Sequence, residues 1–284
     1  MSRHALVSAL IGAAACSAEV LPAAVDSGWP DAARTDVDAG LPAPIDAGLA
    51  PDGGPDQRDP GLAGVMTDEE GQPLDHTMVL CCTAKTCFFG HTETDGSFFF
   101  PLSDAVDVAL KSLENLDSTP RRAAALVPVH VPGVVVVDVG RVFAPNLPEG
   151  VSLDPASSDP QTIAAGDGLE LTLRRADLVP ELGTSIHDLA ARLVPAERLP
   201  TYAALAGEEV IAVYALHPFA ATSRSPIAVR APSALPPGTA VKFRTVSEID
   251  GHLSGTANGM ADGQAMTTDP GAGIEQLTWL VISR

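Results

Sequence analysis

Short runs in which apolar and polar residues alternate at every second position begin near residue 61 and continue to the end of the chain. That period places one set of side chains on each face of an extended strand. Between residues 61 and 131 the runs GLAGVMT, HTMVLCC, CFFGHTET, SFFFPL and AVDVALKS are separated by the turn-forming stretches DEEGQP, TAKT and DG. Asp95-Gly96 is a hairpin signal, because glycine accepts the positive φ that tight turns require. Phe98 and Phe100 then share one face of the following strand, and Phe99 takes the other. From 133 to 284 the pattern recurs in GVVVVDVGRVFAP, DGLELTLRR, EEVIAVYAL, PIAVRA, AVKFRTVS, HLSGTANG and QLTWLVIS. Leu277, Trp279 and Val281 are placed on one face of the last strand. One stretch departs from alternation: Ser185 caps a segment in which Ile186, Leu189 and Leu193 line one side, and Pro195 ends it. The pattern predicts an all-β protein with two β-sandwich modules, residues 61–131 and 133–284, and one short helix in the second.

The first 60 residues follow a different rule. Arg3 and His4 precede eleven mostly apolar residues, Ala5 to Ala15. That is the length of a signal-peptide core and too short to span a bilayer. Residues 17–60 hold nine acids, two bases and twelve prolines or glycines, with no apolar period. Such a segment buries too little surface to offset its ordering entropy, which predicts a disordered tether, residues 16–60. As a flexible coil it spans about 35–40 Å root-mean-square. DVDAG and DGGPDQRD within it lack the ligand spacing of a calcium loop.

Composition narrows the partners. Aromatic residues are only 4% of the chain, so the cores must be built mainly from Val, Leu, Ile and Ala. A net charge of −19 disfavours nucleic acid, whose phosphates require a cationic surface.

Cys81, Cys82 and Cys87 lie together in CCTAKTC. On an antiparallel hairpin closed by four residues, Cys82 and Cys87 face each other, close enough for a disulfide if the pair is not hydrogen-bonded. Cys81 then points to the opposite face as a small buried hydrophobe. Two alternatives stay open: a bulge that pairs Cys81 with Cys87, and a zinc site completed by His76 or His91, whose spacing fits no common zinc pattern.

Three stretches resemble known proteins. Ala13-Ala14-Ala15-Cys16 resembles the lipobox of bacterial lipoproteins, with Ala13 where leucine is usual. The resemblance implies cleavage after residue 15, lipidation of Cys16 and attachment to a membrane through the N-terminal lipid. Ser17 after the cysteine implies the outer membrane by Gram-negative sorting rules. Ordinary secretory cleavage after Ala18 is the alternative, and gives a secreted protein. Gly64, Val65, Gly71, Pro73, Leu74, Thr94, Asp95, Gly96 and Phe98 resemble the carboxypeptidase regulatory-like domain, a transthyretin-like β-sandwich. About 50 residues are covered, and in that family the module is a non-catalytic accessory. Pro236-Pro237-Gly238-Thr239, Asp262-Gly263 and Thr268 to Ile274 resemble β-sandwich segments of large bacterial surface proteins, over about 55 residues. That resemblance implies a structural role.

No catalytic or cofactor motif accompanies these features. GHLSGT and GTSIHD miss the spacing of a nucleophile elbow, and there is no zinc-protease, phosphate-loop or dinucleotide signature. Ser185, His187 and Asp188 are the residue types of a triad, but neighbours on one helical turn do not meet in that geometry. The expectation is an exported, membrane-anchored envelope protein, not an enzyme and without cofactor or metal. Its role would be structural or adhesive, toward an envelope protein or polysaccharide. A hydrolase, or the accessory subunit of one, with a site assembled from dispersed residues, is the alternative.

Overall fold

Asp95-Gly96 turns the chain as its residue types require. The Asp95 carboxylate accepts the Ser97 N–H at 2.9 Å, and Gly96 sits at φ 77°, where an added Cβ would lie 2.6 Å from the Met66 carbonyl oxygen. This turn belongs to a computed structural model that describes residues 59–181, 185–200 and 207–284. Seven strands surround it: β1 (Gly61–Thr67), β2 (Met78–Cys82), β3 (Cys87–His91), β4 (Ser97–Pro101), β5 (Val106–Ser112), β6 (Leu126–Val131) and β7 (Val136–Phe143). They form two sheets in the orders β4-β1-β7 and β3-β2-β5-β6, with only the β1–β7 pair parallel. Phe98 and Phe100 are buried between the sheets with Leu62, Met66, Val108 and Leu110, while Phe99 is 39% exposed. The alternation expected from the sequence is therefore observed. β7 begins in a stretch the sequence pattern assigns to the second module. It pairs with β1 over Gly61 to Thr67, so the first sandwich extends through Phe143.

The second module contains β8 (Val151–Ser152), β9 (Gln161–Gly166), β10 (Leu169–Leu173), β11 (Leu178–Val179), β12 (Asp188–Leu193), β13 (Val210–His217), β14 (Ala221–Pro232), β15 (Ala240–Val246), β16 (Leu253–Ala261), β17 (Ala265–Thr268), β18 (Ile274–Leu277) and β19 (Trp279–Ser283). One continuous sheet runs β8-β12-β13-β19-β15-β16-β17-β14-β10-β9, with β11 and β18 paired to β14. Its layers face each other across a core that includes Leu169, Leu171, Leu189, Ile227, Phe243 and Met266.

Two expectations are corrected here. The segment predicted as a helix is strand β12, paired with β8 and β13. Leu189 and Ala191 face one core and Ala190 the other, so both faces of the strand are buried. The three-residue spacing of Ile186 and Leu189 mimics a helical stripe, yet Leu193, its third member, is 40% exposed. In the last strand, Trp279 and Val281 share a face as expected, but Leu277 joins Leu280 and Ile282 in the opposite core. The chain bends at Thr278, whose hydroxyl donates to the Val246 carbonyl at 2.7 Å, and the bend resets the alternation.

A third core joins the modules. Leu80, Cys82, Ala109 and Leu126, on the outer face of the β3-β2-β5-β6 sheet, pack with Val213, Ala215, Val246, Trp279 and Val281 of the second module. The Trp279 indole N–H donates to the Ala124 carbonyl at 2.9 Å, which satisfies the ring's only polar atom inside the seam. Truncating so large a buried side chain costs both transfer energy and a cavity, so Trp279→Ala should lower the unfolding free energy by about 3–5 kcal/mol. Denaturant titration should show one transition in the wild-type protein and a lower midpoint in the variant.

Candidate functional site

Charged side chains cluster beside the apolar seam. β13 ends at His217, which is 4% exposed. Its Nδ1 lies 2.9 Å from both carboxylate oxygens of Glu114, in the connection between β5 and β6. Its Nε2 lies 3.3 Å from Asp188 Oδ1, at the start of β12. Arg121 closes the array by donating to Asp188 Oδ2 at 2.8 Å. Lys111 on β5 is nearly buried, pairs with Glu248 and lies 5.8 Å from the centre of the Phe219 ring. Partial burial pushes the Asp188 carboxyl up, but the Arg121 hydrogen bond and the His217 charge outweigh it and hold the group below the usual carboxylate range. Burial pushes Glu181 the other way, and the Glu248 and Glu114 charges add to that rise against the pull of Lys111.

This array ties one module to the other. It is packed with internal partners, which is the signature of a structural joint. A depressed folded-state pKa stabilises the protein above the unfolded value near 3.9, and that contribution disappears as pH falls through the folded value. Asp188→Asn should therefore cost about 2 kcal/mol at neutral pH. It should also flatten the acid limb of a pH–stability curve below about pH 4.

An open cleft of about 900 Å³ lies between the modules. Asp107 and His130 face each other in the β5–β6 ladder, with Asp107 Oδ1 2.8 Å from His130 Nδ1. The turn before β16 brings His252 Nε2 to 3.8 Å from Asp107 Oδ2, and Asp250 lines the same wall. That turn can lie on β6 because Gly251, at φ 73°, has no Cβ; one would stand 2.8 Å from the Pro128 side chain. Elsewhere in the cleft, Arg141 of β7 and Arg198 carry no ion pair among the described residues, and Arg198 stacks 5.3 Å from the centre of the Phe143 ring. The Asp107, His130 and His252 side chains are half or more exposed, so they present donors and acceptors to whatever enters. Among the described residues no serine, threonine or cysteine lines the cleft, and no three His, Cys, Asp or Glu converge as a metal site.

The residues singled out in the sequence fall elsewhere. Cys82 and Cys87 form a disulfide between directly opposed positions of β2 and β3. Cys81 is a buried free thiol, pushed up to about 12 by burial. It faces the core of the first sandwich while Cys82 faces the seam, so the three sulfurs do not converge with His76 or His91, which are both exposed. Ser185 Oγ and His187 Nε2 do meet, at 2.6 Å, because the segment is extended and not helical. Asp188 turns away from them toward Arg121 and His217. Cys16 lies outside the described residues. Glu114, Arg121 and the Asp107–His130–His252 group had no signature in the sequence; only the strand positions of Asp107 and His130 could have paired those two. No protein-family model matches the chain, and no curated protein is similar enough to count as a relative.

Proposed function

We propose that this is an exported envelope lipoprotein, anchored through Cys16, whose folded body binds an envelope protein or polysaccharide and does not catalyse a reaction. The cleft is the observation that carries the binding half of this reading. Its walls come from both modules, its imidazoles and carboxylates are exposed, and the apolar and ionic seams beside it hold the walls in fixed relation. Preorganised walls lower the ordering cost of binding. The Cys82–Cys87 disulfide supports export, since such bonds persist in oxidising compartments. Closing so short a loop contributes about 2 kcal/mol. The first sandwich has two sheets of three and four strands about the Asp95-Gly96 turn, which supports its likeness to the carboxypeptidase regulatory-like module.

The hydrolytic alternative has one contact in its favour, Ser185 with His187. Asp188, the acid that would orient the imidazole, is committed to Arg121 and His217 instead.

Intact mass spectrometry of the protein purified from membranes tests the export half. The expected product begins at Cys16 with acyl mass, and after denaturation it gains two further alkyl groups on reduction. A cytosolic product that retains Met1 would overturn the anchor. For binding, the wild-type protein should co-sediment with purified insoluble envelope polysaccharide. The Asp107→Ala/Asp250→Ala variant should lose about tenfold or more in affinity if the cleft makes two or more polar contacts. Release of reducing ends from that material, abolished by Ser185→Ala, would establish the hydrolase.

A further inference from the structure

Three of the four sheet edges of the first sandwich carry devices that discourage another strand from pairing. β6 contains Pro128, β4 ends in Pro101, and β7 is bulged opposite the Ala63–Val65 stretch of β1. β3 has none of these. Its sequence is Cys-Phe-Phe-Gly-His, its ladder with β2 is regular, and Phe88 and Phe89 are 42% and 68% exposed.

The β2–β3 ladder fixes which backbone groups of β3 face outward. The Thr83 N–H donates to the Thr86 carbonyl at 2.7 Å, and the Thr92 N–H to the Thr77 carbonyl at 3.0 Å. Residues 86, 88, 90 and 92 therefore turn their backbone groups toward β2, since antiparallel partners alternate. Cys87, Phe89 and His91 turn theirs outward, and among the described residues no other strand pairs with them. Strand β3 is an edge with three donors and three acceptors in place.

We propose that β3 is a self-association surface, pairing antiparallel with the same strand of a second copy about a two-fold axis at Phe89. Within the strand this is the register that engages Cys87, Phe89 and His91 of both copies at once. It sets Cys87 opposite the partner's His91 and Phe89 opposite the partner's Phe89. Phe88 comes to lie opposite the partner's Gly90, a position whose missing side chain leaves no clash with the incoming ring on that strand. The charges agree with the same register. Lys85 and Glu93, both exposed, flank the strand at equal distances from Phe89, so each faces its opposite charge on the other copy. The strand itself carries no carboxylate in a chain of net charge −19, so two copies meet there without adding like charges. Pairing of one short strand buries less than the roughly 1,000 Å² of a stable interface, so the complex is a weak, reversible dimer.

Sedimentation equilibrium of the full chain, from about 1 µM to about 1 mM, tests the proposal. The wild-type protein should show a monomer–dimer equilibrium within that range. Phe89→Lys, a change at an exposed position, should leave only monomer. Lys85→Glu should weaken association by about tenfold, by setting like charges opposite each other twice, and Lys85→Glu/Glu93→Lys should restore it to within about threefold. A wild-type chain that stays monomeric throughout, a dimer indifferent to Phe89→Lys, or a charge swap that fails to rescue would each overturn the proposal.

Discussion

A four-stranded sheet packed on one face can leave its other face to water, and here it does not. The β3-β2-β5-β6 sheet is covered on one side by the core of its own sandwich and on the other by Trp279, Val281 and their neighbours. Burial of this second face makes the two modules depend on each other, because exposing Leu80, Ala109 and Leu126 would return a continuous apolar surface to solvent. The indole of Trp279 belongs to this seam in two senses, filling it and hydrogen-bonding the backbone at Ala124 across it. The ionic array of Arg121, Asp188, His217 and Glu114 stands beside that apolar surface. Such arrays contribute less to net stability than their Coulomb terms suggest, since desolvation offsets the attraction. Their geometry is demanding, however, and it fixes the relation of β12 and β13 to the β5–β6 connection.

The cleft inherits its shape from that joint. Asp107 and His130 are placed by a ladder within the first module, whereas His252 and Asp250 arrive on a turn of the second. Gly251 allows the two to approach, since any side chain there would collide with Pro128. The seam holds the two walls in fixed relation, and its Trp279 and Phe143 also line the cleft.

Local features were legible in the sequence and distant ones were not. The Asp95-Gly96 turn, the alternation of Phe98, Phe99 and Phe100, and the pairing of Cys82 with Cys87 each depend on residues within a few positions of one another. His217 and Glu114 are 103 positions apart, and nothing in either neighbourhood announces the other. β12 carries a helical spacing for a physical reason: a strand buried on both faces has apolar residues at most positions, so a three- or four-residue interval can be picked out of it. The change of face between Leu277 and Trp279 depends on a bend at Thr278, secured by a hydrogen bond to Val246 that only the folded chain contains. The place of β7 beside β1 was hidden for a related reason. A valine-rich run such as Val134 to Val137 does not reveal which sheet it will join, and β7 joins β1 by a parallel pairing that sequence neighbours never display.

The position of β1 has a mechanical consequence. The segment ahead of Asp59 enters the folded body through the interior strand of a sheet, flanked by β4 on one side and β7 on the other. The clamp begins at once, with the Leu102 N–H donating to the Pro60 carbonyl at 2.9 Å and the Gly61 N–H to Val135 at 3.3 Å. A pull directed along this strand loads the hydrogen bonds of both flanking ladders together, in shear, where an edge strand would peel away one bond at a time.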